Sequence, residues 1–137
     1  LLKILIKEFW KIDPLIEETS GEYQSKISGA TAALVIGDRA LEQRKISSYI
    51  YDLGLEGKKF TGLPFVFAAW VSTKKLPRDF IEMFNIANAL GLDHLDEIIA
   101  ANPFDIYDLK KYYTIHINYI LNKNKIKAMQ KFLELIA

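Results

Sequence analysis

The chain contains no cysteine among its 137 residues. Disulfide bonds, thiolate nucleophiles and cysteine-ligated zinc sites are therefore excluded. The absence is consistent with a reducing compartment, so we expect a cytoplasmic protein. The sequence also lacks any apolar run of the roughly 18 to 20 residues that a membrane-spanning helix requires. On this evidence we expect no membrane partner.

The chain also lacks an excess of charge of either sign. Its 18 basic and 17 acidic residues give a net charge of +1, which demands neither a nucleic acid nor an anionic surface. We therefore expect no nucleic-acid partner. Half of the residues are hydrophobic and 26% are charged, a composition typical of one globular domain of ordinary size.

The C-terminal tail is locally basic. From Pro103 onward the chain has six lysines against two aspartates and one glutamate. These lysines alternate with apolar residues, as in a helix with one solvated face. A solvated helix face is the favoured interpretation, and a nucleic-acid patch is the alternative. The six are Lys110, Lys111, Lys123, Lys125, Lys127 and Lys131.

Apolar runs in the first half predict β-strands. Residues 31–36 and 63–71 are continuous apolar runs, which suit strands buried on both faces of a parallel sheet. Residues 15–18 and 46–53 are further strand candidates. A short helix is predicted at 55–60, and strands that alternate with helices indicate an α/β architecture.

Helical periodicity marks the start and the second half of the chain. Residues 1–10 carry an apolar stripe without a capping residue before it, which predicts a helix whose cap lies upstream in a missing segment. Stripes over 80–99, 106–120 and 126–136 predict three more helical regions. Gly91 is expected to kink or divide the first of these, and Asn102-Pro103 to close it.

The first candidate site is the loop after the apolar run 31–36. Gly37, Asp38 and Arg39 follow this run and open a short helical stretch. Backbone N–H groups at such a junction bind anions, and Arg39 adds positive charge. The simpler interpretation, which local chemistry favours, makes Gly37 a turn residue and Asp38 a helix N-cap.

The second candidate site is Thr61-Gly62-Leu63-Pro64, before the longest apolar run. Gly62 permits close backbone approach, and Thr61 offers a hydroxyl. An ordinary turn is again the favoured alternative. Because ligands of parallel sheets bind beyond the carboxyl ends of strands, we expect both loops to face one cleft.

Other catalytic signatures are scarce. His94 and His116 are the only histidines, and they lie on different helical segments without a local metal-binding spacing. His94 is expected to be exposed and His116 structural. Because the two histidines lack a metal-binding spacing and the chain has no cysteine, we expect no metal. No nucleophile elbow, phosphate-binding loop or dinucleotide fingerprint occurs either.

Several segments together resemble the chorismate dehydratases of the futalosine pathway of menaquinone biosynthesis. They are residues 32–41 (AALVIGDRAL), 51–54 (YDLG) and 61–71 (TGLPFVFAAWV), with 117–119 (INY) and 131–132 (KF) similar to the closing helices. The resemblance covers nearly the whole chain and is most specific over 61–71. The sister enzyme, 1,4-dihydroxy-6-naphthoate synthase, is less similar.

The resemblance implies a type II periplasmic-binding-protein-like fold, an α/β fold with two lobes around a cleft and closing C-terminal helices. Residues 1–64 would form part of the second lobe. Residues 65–137 would supply a return strand and the helices that pack on the first lobe. Members of the family are longer at the front, so this chain is expected to lack an N-terminal part.

The implied activity is that of a lyase that dehydrates chorismate to 3-[(1-carboxyvinyl)oxy]benzoate, with no cofactor because aromatisation drives the reaction. Asp38 is a candidate base, although a structural role is as well supported and the carboxylate of chorismate is another candidate. The alternatives are a non-enzymatic solute-binding protein of the same fold and the sister synthase. Expected substrate contacts are Gly37, Asp38, Thr61, Gly62, Leu63 and Pro64.

Overall fold

The computed structural model describes residues 1–19 and 21–137. This part of the chain divides into two compact units. The first comprises Leu1–Val66 with Leu121–Ala137, and the second comprises Phe67–Ile120. The predicted domain boundary after Pro64 concerned the lobes of a larger protein, and it stays a prediction.

The expected α/β fold is wrong. All regular elements of the described residues are helical, and none of these residues lies in a β-strand. The predicted strands at 15–18, 31–36 and 63–71 have no regular secondary structure, and Leu53 begins a helix instead of ending a strand. An apolar run becomes a strand only when a second backbone pairs with it. No such pairing is formed in the described chain, so neither the parallel sheet nor the two-lobe architecture is present.

Four helices build the first unit. Helix α1 (Leu2–Ile4) continues as a π-helical turn (Leu5–Trp10), which confirms the helix predicted for residues 1–10. It ends at Lys11, which has a left-handed conformation with φ of 52°. Helices α2 (Asp38–Arg44) and α3 (Leu53–Thr61) follow, and a 3-10 turn (Gln24–Lys26) precedes them. Helix α7 (Lys123–Ile136) returns to this unit.

The core of the first unit forms around α1. Ile4 and Leu5 are the buried apolar side chains of the described chain, with Leu5 fully buried. Phe9 packs against Phe60 of α3, with ring centroids 5.5 Å apart. A Cβ at Gly57 would lie 3.6 Å from Leu1 Cδ1. This is an ordinary van der Waals distance, so α3 and the start of α1 lie one methyl group apart at this point.

Helix α7 joins this core through one aromatic contact. The rings of Phe65 and Phe132 meet edge to face, with centroids 5.4 Å apart. Edge-to-face contact suits the charge distribution of aromatic rings. The predicted helix over 126–136 is confirmed, and the Asn122 side chain caps it by accepting from the Lys125 N–H at 3.0 Å.

The second unit contains the remaining helices. These are α4 (Arg78–Asp93), α5 (Leu95–Ala101) and α6 (Leu109–Lys111), which continues as a π-helical turn (Tyr112–His116). The break between α4 and α5 falls at His94 rather than at the predicted Gly91, whereas the predicted closure at Asn102 is confirmed. The helix predicted over 106–120 is formed only over 109–116. A 2.9 Å ion pair between Asp96 and Lys110 joins α5 to α6.

Many large apolar side chains remain exposed. Leu15, Trp70 and Val71 expose 87%, 82% and 86% of their surface. The accessible surface is 11759 Å², whereas a compact monomer of this mass exposes about 7,300 Å². None of the helices in the described ranges combines the length and apolar character needed to cross a bilayer.

Candidate functional site

The turn at Thr61–Pro64 is the C-terminal cap of α3. Gly62 has φ of 71° and ψ of 3°, and its N–H donates to the Lys58 carbonyl at 2.8 Å. This is a left-handed cap, in which glycine avoids the steric cost that a Cβ brings. The need for glycine at position 62 is therefore explained by the backbone alone.

The Thr61 hydroxyl is occupied within the same turn. It donates to the Gly57 carbonyl at 2.8 Å and accepts from the Leu63 N–H at 3.2 Å. These bonds hold the chain as it leaves the helix. The ordinary-turn interpretation accounts for this hydroxyl, and the predicted substrate contact of Thr61 stays a prediction.

A small cavity lies beside this turn. Its volume is about 20 Å³, which suits one water molecule and not a cyclic ligand. Its walls are almost entirely apolar and come from α1, α3 and α7. They include Ile4, Phe60, Thr61, Pro64, Phe65 and Phe132.

The Gly37–Arg39 loop opens α2. Gly37 is the N-cap, with φ of 71° and ψ of −155°, and its carbonyl accepts from the Ala40 N–H at 2.9 Å. Asp38 is the first residue of the helix, so its expected role as N-cap is wrong. A carboxylate in the first turn is stabilised by the helix dipole without capping it.

Asp38 presents an accessible carboxylate. Asp38 and Arg39 are both exposed, and among the described residues no hydrogen bond or ion pair engages the Asp38 side chain. The carboxylate is therefore open to an incoming molecule. Of the six predicted contact residues, Asp38 alone combines exposure with an ionisable group.

Both candidate loops belong to the first unit. The hydrogen bonds recorded for each loop are local, and in residues 1–19 and 21–137 none of them joins one loop to the other. The expectation that they face a single cleft stays a prediction.

The second unit contains a phenol–imidazole pair that the sequence did not indicate. Tyr107 Oη lies 2.9 Å from His116 Nε2, and Tyr112 lies beside Tyr107 with ring centroids 6.4 Å apart. A tyrosine and a histidine in hydrogen-bond contact are able to share a proton. The two residues are nine positions apart, on either side of α6 and most of its π-helical turn, and no local spacing signals the pair.

Some other ionisable groups form local pairs. His94 Nδ1 lies 2.9 Å from Glu97 Oε1 on the surface of α5, consistent with the expected exposure of His94. Burial, with smaller contributions from Tyr113 and Tyr112, raises the pKa of Tyr119. In the described part of the chain no group of three or more acidic or histidine side chains is placed to hold a metal ion.

Comparison with known proteins places this sequence in a family. The sequence model described as menaquinone biosynthesis matches residues 1–137, which include both candidate loops. No solved structure matches the chain.

Proposed function

This chain belongs to the menaquinone biosynthesis family, which includes the chorismate dehydratases, and from that premise we propose that it dehydrates chorismate to 3-[(1-carboxyvinyl)oxy]benzoate. A role in menaquinone biosynthesis follows from the family itself. The observation that carries the proposed reaction is the match over residues 1–137, together with the resemblance of residues 61–71 to the dehydratases.

The proposed reaction is a redox-neutral loss of water. Chorismate carries two carboxylates, an enol ether and a cyclohexadiene ring with an allylic hydroxyl. The C–O bond to that hydroxyl breaks, and a base removes the hydrogen from the neighbouring ether-bearing carbon. The electron pair of the C–H bond completes the aromatic ring, and hydroxide leaves with a proton as water. The protein has to bind a dianion, orient the two breaking bonds and supply a proton acceptor.

Asp38 is the protein group that we assign to the proton-accepting step. Its carboxylate is exposed and has no partner in the described residues, so an incoming C–H bond meets no competing contact. The adjacent Arg39 is exposed as well and offers a positive charge to a substrate carboxylate. Gly37 and the Thr61–Pro64 turn are proposed to contact the substrate through backbone groups. The carboxylate of chorismate is the competing base.

The test compares two aspartates that lie in the first turn of a helix. Asp38 and Asp79 are both exposed first-turn residues, of α2 and α4 respectively. We expect Asp38→Asn to reduce the rate of aromatic product formation from chorismate by about a hundredfold or more. Asp79→Asn should leave it unchanged. Product is followed by chromatography and ultraviolet absorbance.

Three results would count against the proposal. Wild-type protein that binds chorismate without forming product is not a lyase for it. Release of 1,4-dihydroxy-6-naphthoate from a later intermediate, with no turnover of chorismate, would identify the sister activity. Full activity of Asp38→Asn would contradict the role of Asp38 as the base and favour the carboxylate of chorismate, while the proposed dehydration would still hold.

A further inference from the structure

One of the seven tyrosines of the chain has a base beside its phenol. Tyr107 Oη lies 2.9 Å from His116 Nε2, within hydrogen-bond distance. Among the described residues, no hydrogen bond engages the phenol of any other tyrosine. The other six are Tyr23, Tyr49, Tyr51, Tyr112, Tyr113 and Tyr119. Tyr107 is therefore chemically distinct from the rest.

Local structure holds the two partners in place. Tyr107 lies in the turn before α6, and His116 is the last residue of the π-helical turn that continues α6. The Asp108 side chain caps α6 by accepting from the Lys111 N–H at 3.0 Å, which fixes the turn next to Tyr107. The two rings have centroids 6.0 Å apart. Tyr107 is half-buried, whereas His116 is exposed to water.

A hydrogen-bonded base changes how a phenol responds to oxidants. A phenol that loses one electron becomes a radical cation, which is a very strong acid. When a base accepts the proton as the electron leaves, this high-energy species is avoided. A base acts in this way only within hydrogen-bond reach of the proton, and imidazole is the side chain best suited to accept one near neutral pH.

We propose that Tyr107 is a modification site, at which oxidants of the reactive-nitrogen class convert the phenol to 3-nitrotyrosine with His116 as proton acceptor. The oxidants are the carbonate radical anion and nitrogen dioxide, which form together when peroxynitrite meets carbon dioxide. The inference does not depend on the proposed reaction.

The modification takes two one-electron steps. The carbonate radical anion removes an electron from the Tyr107 ring and becomes carbonate, while the phenolic O–H bond breaks and its proton moves to His116 Nε2. Nitrogen dioxide then forms a C–N bond to the ring carbon next to the phenolic oxygen of the Tyr107 radical. The hydrogen of that carbon shifts to the oxygen and restores the phenol. His116 is exposed, so its imidazolium returns the proton to water.

The neighbouring phenols are poorer sites for the same step. The rings of Tyr112 and Tyr107 have centroids 6.4 Å apart, but an electron passed from Tyr112 would leave its proton without an acceptor in the described chain. Burial raises the pKa of Tyr119, so this phenol holds its proton more tightly. The oxidation is thus expected to stay at Tyr107.

Exposure and the presence of a base predict different sites. Tyr49 and Tyr51 expose 87% and 67% of their surface, whereas Tyr107 is only half-buried. If access to solvent decided the reaction, Tyr49 would be modified first. If the base decides it, Tyr107 is modified first.

The first experiment maps nitration of the full chain. The protein is treated near neutral pH with peroxynitrite in bicarbonate buffer, at a dose that modifies less than one tyrosine per chain, and peptides are quantified by mass spectrometry. We expect Tyr107 to be nitrated about fivefold more than Tyr49, and His116→Gln to remove this preference, because a glutamine amide accepts a hydrogen bond but not a proton. The matched control is His94→Gln, since His94 pairs with Glu97 and not with a tyrosine. It should leave the preference unchanged.

The second experiment uses Tyr107→Phe, which removes one hydroxyl and keeps the ring. We expect total nitration to fall, with Tyr112 staying at its wild-type level because it has no base. Circular dichroism verifies that each variant keeps the helical content of wild type. Preferential nitration of Tyr49 in the wild type would overturn the proposal. So would equal effects of His116→Gln and His94→Gln, or a rise of Tyr112 nitration to the former level of Tyr107.

Discussion

At the scale of single residues, the Thr61 hydroxyl was predicted to contact substrate, and it has hydrogen-bond partners within its own turn. The hydroxyl bonds the Gly57 carbonyl and the Leu63 N–H in a partly buried turn. We expect Thr61→Val to lower the free energy of unfolding by about 1 kcal/mol, since the Leu63 N–H loses its partner. Thr61→Ser, which keeps the hydroxyl, should lose less. Urea denaturation measures both, and a valine variant as stable as wild type would show that the hydroxyl does not support the turn.

We expect the folded chain to lose stability at high pH because of two residues of the second unit, Lys110 and Tyr119. The hydrogen bond and charge of Asp96 raise the pKa of Lys110 from its ordinary 10.5, and burial raises that of Tyr119 from 10.0. Both groups hold their protons more tightly in the folded state. Well below pH 10 both are protonated in either state. As the pH rises further, the unfolded chain releases these protons first, so stability falls.

The pH effect is measured by urea unfolding between pH 9 and pH 11. Asp96→Asn removes the partner of Lys110, so the decline should become smaller, and the part due to Tyr119 should remain. Asp79→Asn is the control, because Asp79 is exposed and is not a partner of either group. A wild-type chain whose stability rises over this range would contradict the prediction.

At the scale of elements, we expect a glycine-to-alanine substitution to have opposite effects on stability at two positions, Gly62 and Gly91. Gly62 caps α3 with φ of 71°, whereas Gly91 lies within α4, and a Cβ at either position meets no atom within 4 Å. Steric contacts therefore do not decide the result. Gly62→Ala should destabilise by about 1 kcal/mol because of its left-handed backbone. Gly91→Ala should stabilise by about 0.8 to 1 kcal/mol because alanine favours the helix. Shifts of the same sign in thermal unfolding would contradict this account.

At the scale of the whole molecule, exposed apolar surface predicts self-association of the 137-residue chain. Phe67 and Val71 expose 76% and 86% of their surface, and contiguous apolar patches of this kind are associated with contacts between proteins. We expect a sedimentation coefficient that rises with concentration. Phe67→Ser/Val71→Ser should reduce the rise, whereas Ala68→Ser/Ala69→Ser adds the same hydroxyls and removes little apolar area. A monomer at all concentrations would contradict the prediction.

The distribution of charge also acts at this scale. A net charge of +1 led to the expectation of no nucleic-acid partner. Folding brings Lys3 and Lys7 beside the end of α7 in one groove, although they are more than a hundred residues from its lysines in the sequence. Composition averages over the whole chain, so this local grouping of charge was not predictable from it.

The sequence by itself determined the helices and the family. Helical periodicity predicted α7 and the closure at Asn102, and caps such as Asp52, whose side chain accepts from the Leu55 N–H, lie within three residues of their partners. These interactions are local, so the order of residues is sufficient to specify them. The same order of segments indicated the menaquinone biosynthesis family, which the match over residues 1–137 confirms.

Only the tertiary structure decided which apolar runs found partners and which polar groups were occupied. Residues 31–36 and 63–71 were predicted to be strands, but strand pairing depends on a second segment that an apolar run does not specify. The contact between Tyr107 and His116, nine residues apart, likewise depends on how the chain turns between them. Non-local contacts close loops at an entropic cost that local sequence does not reveal, and for this reason they had to be read from the folded chain.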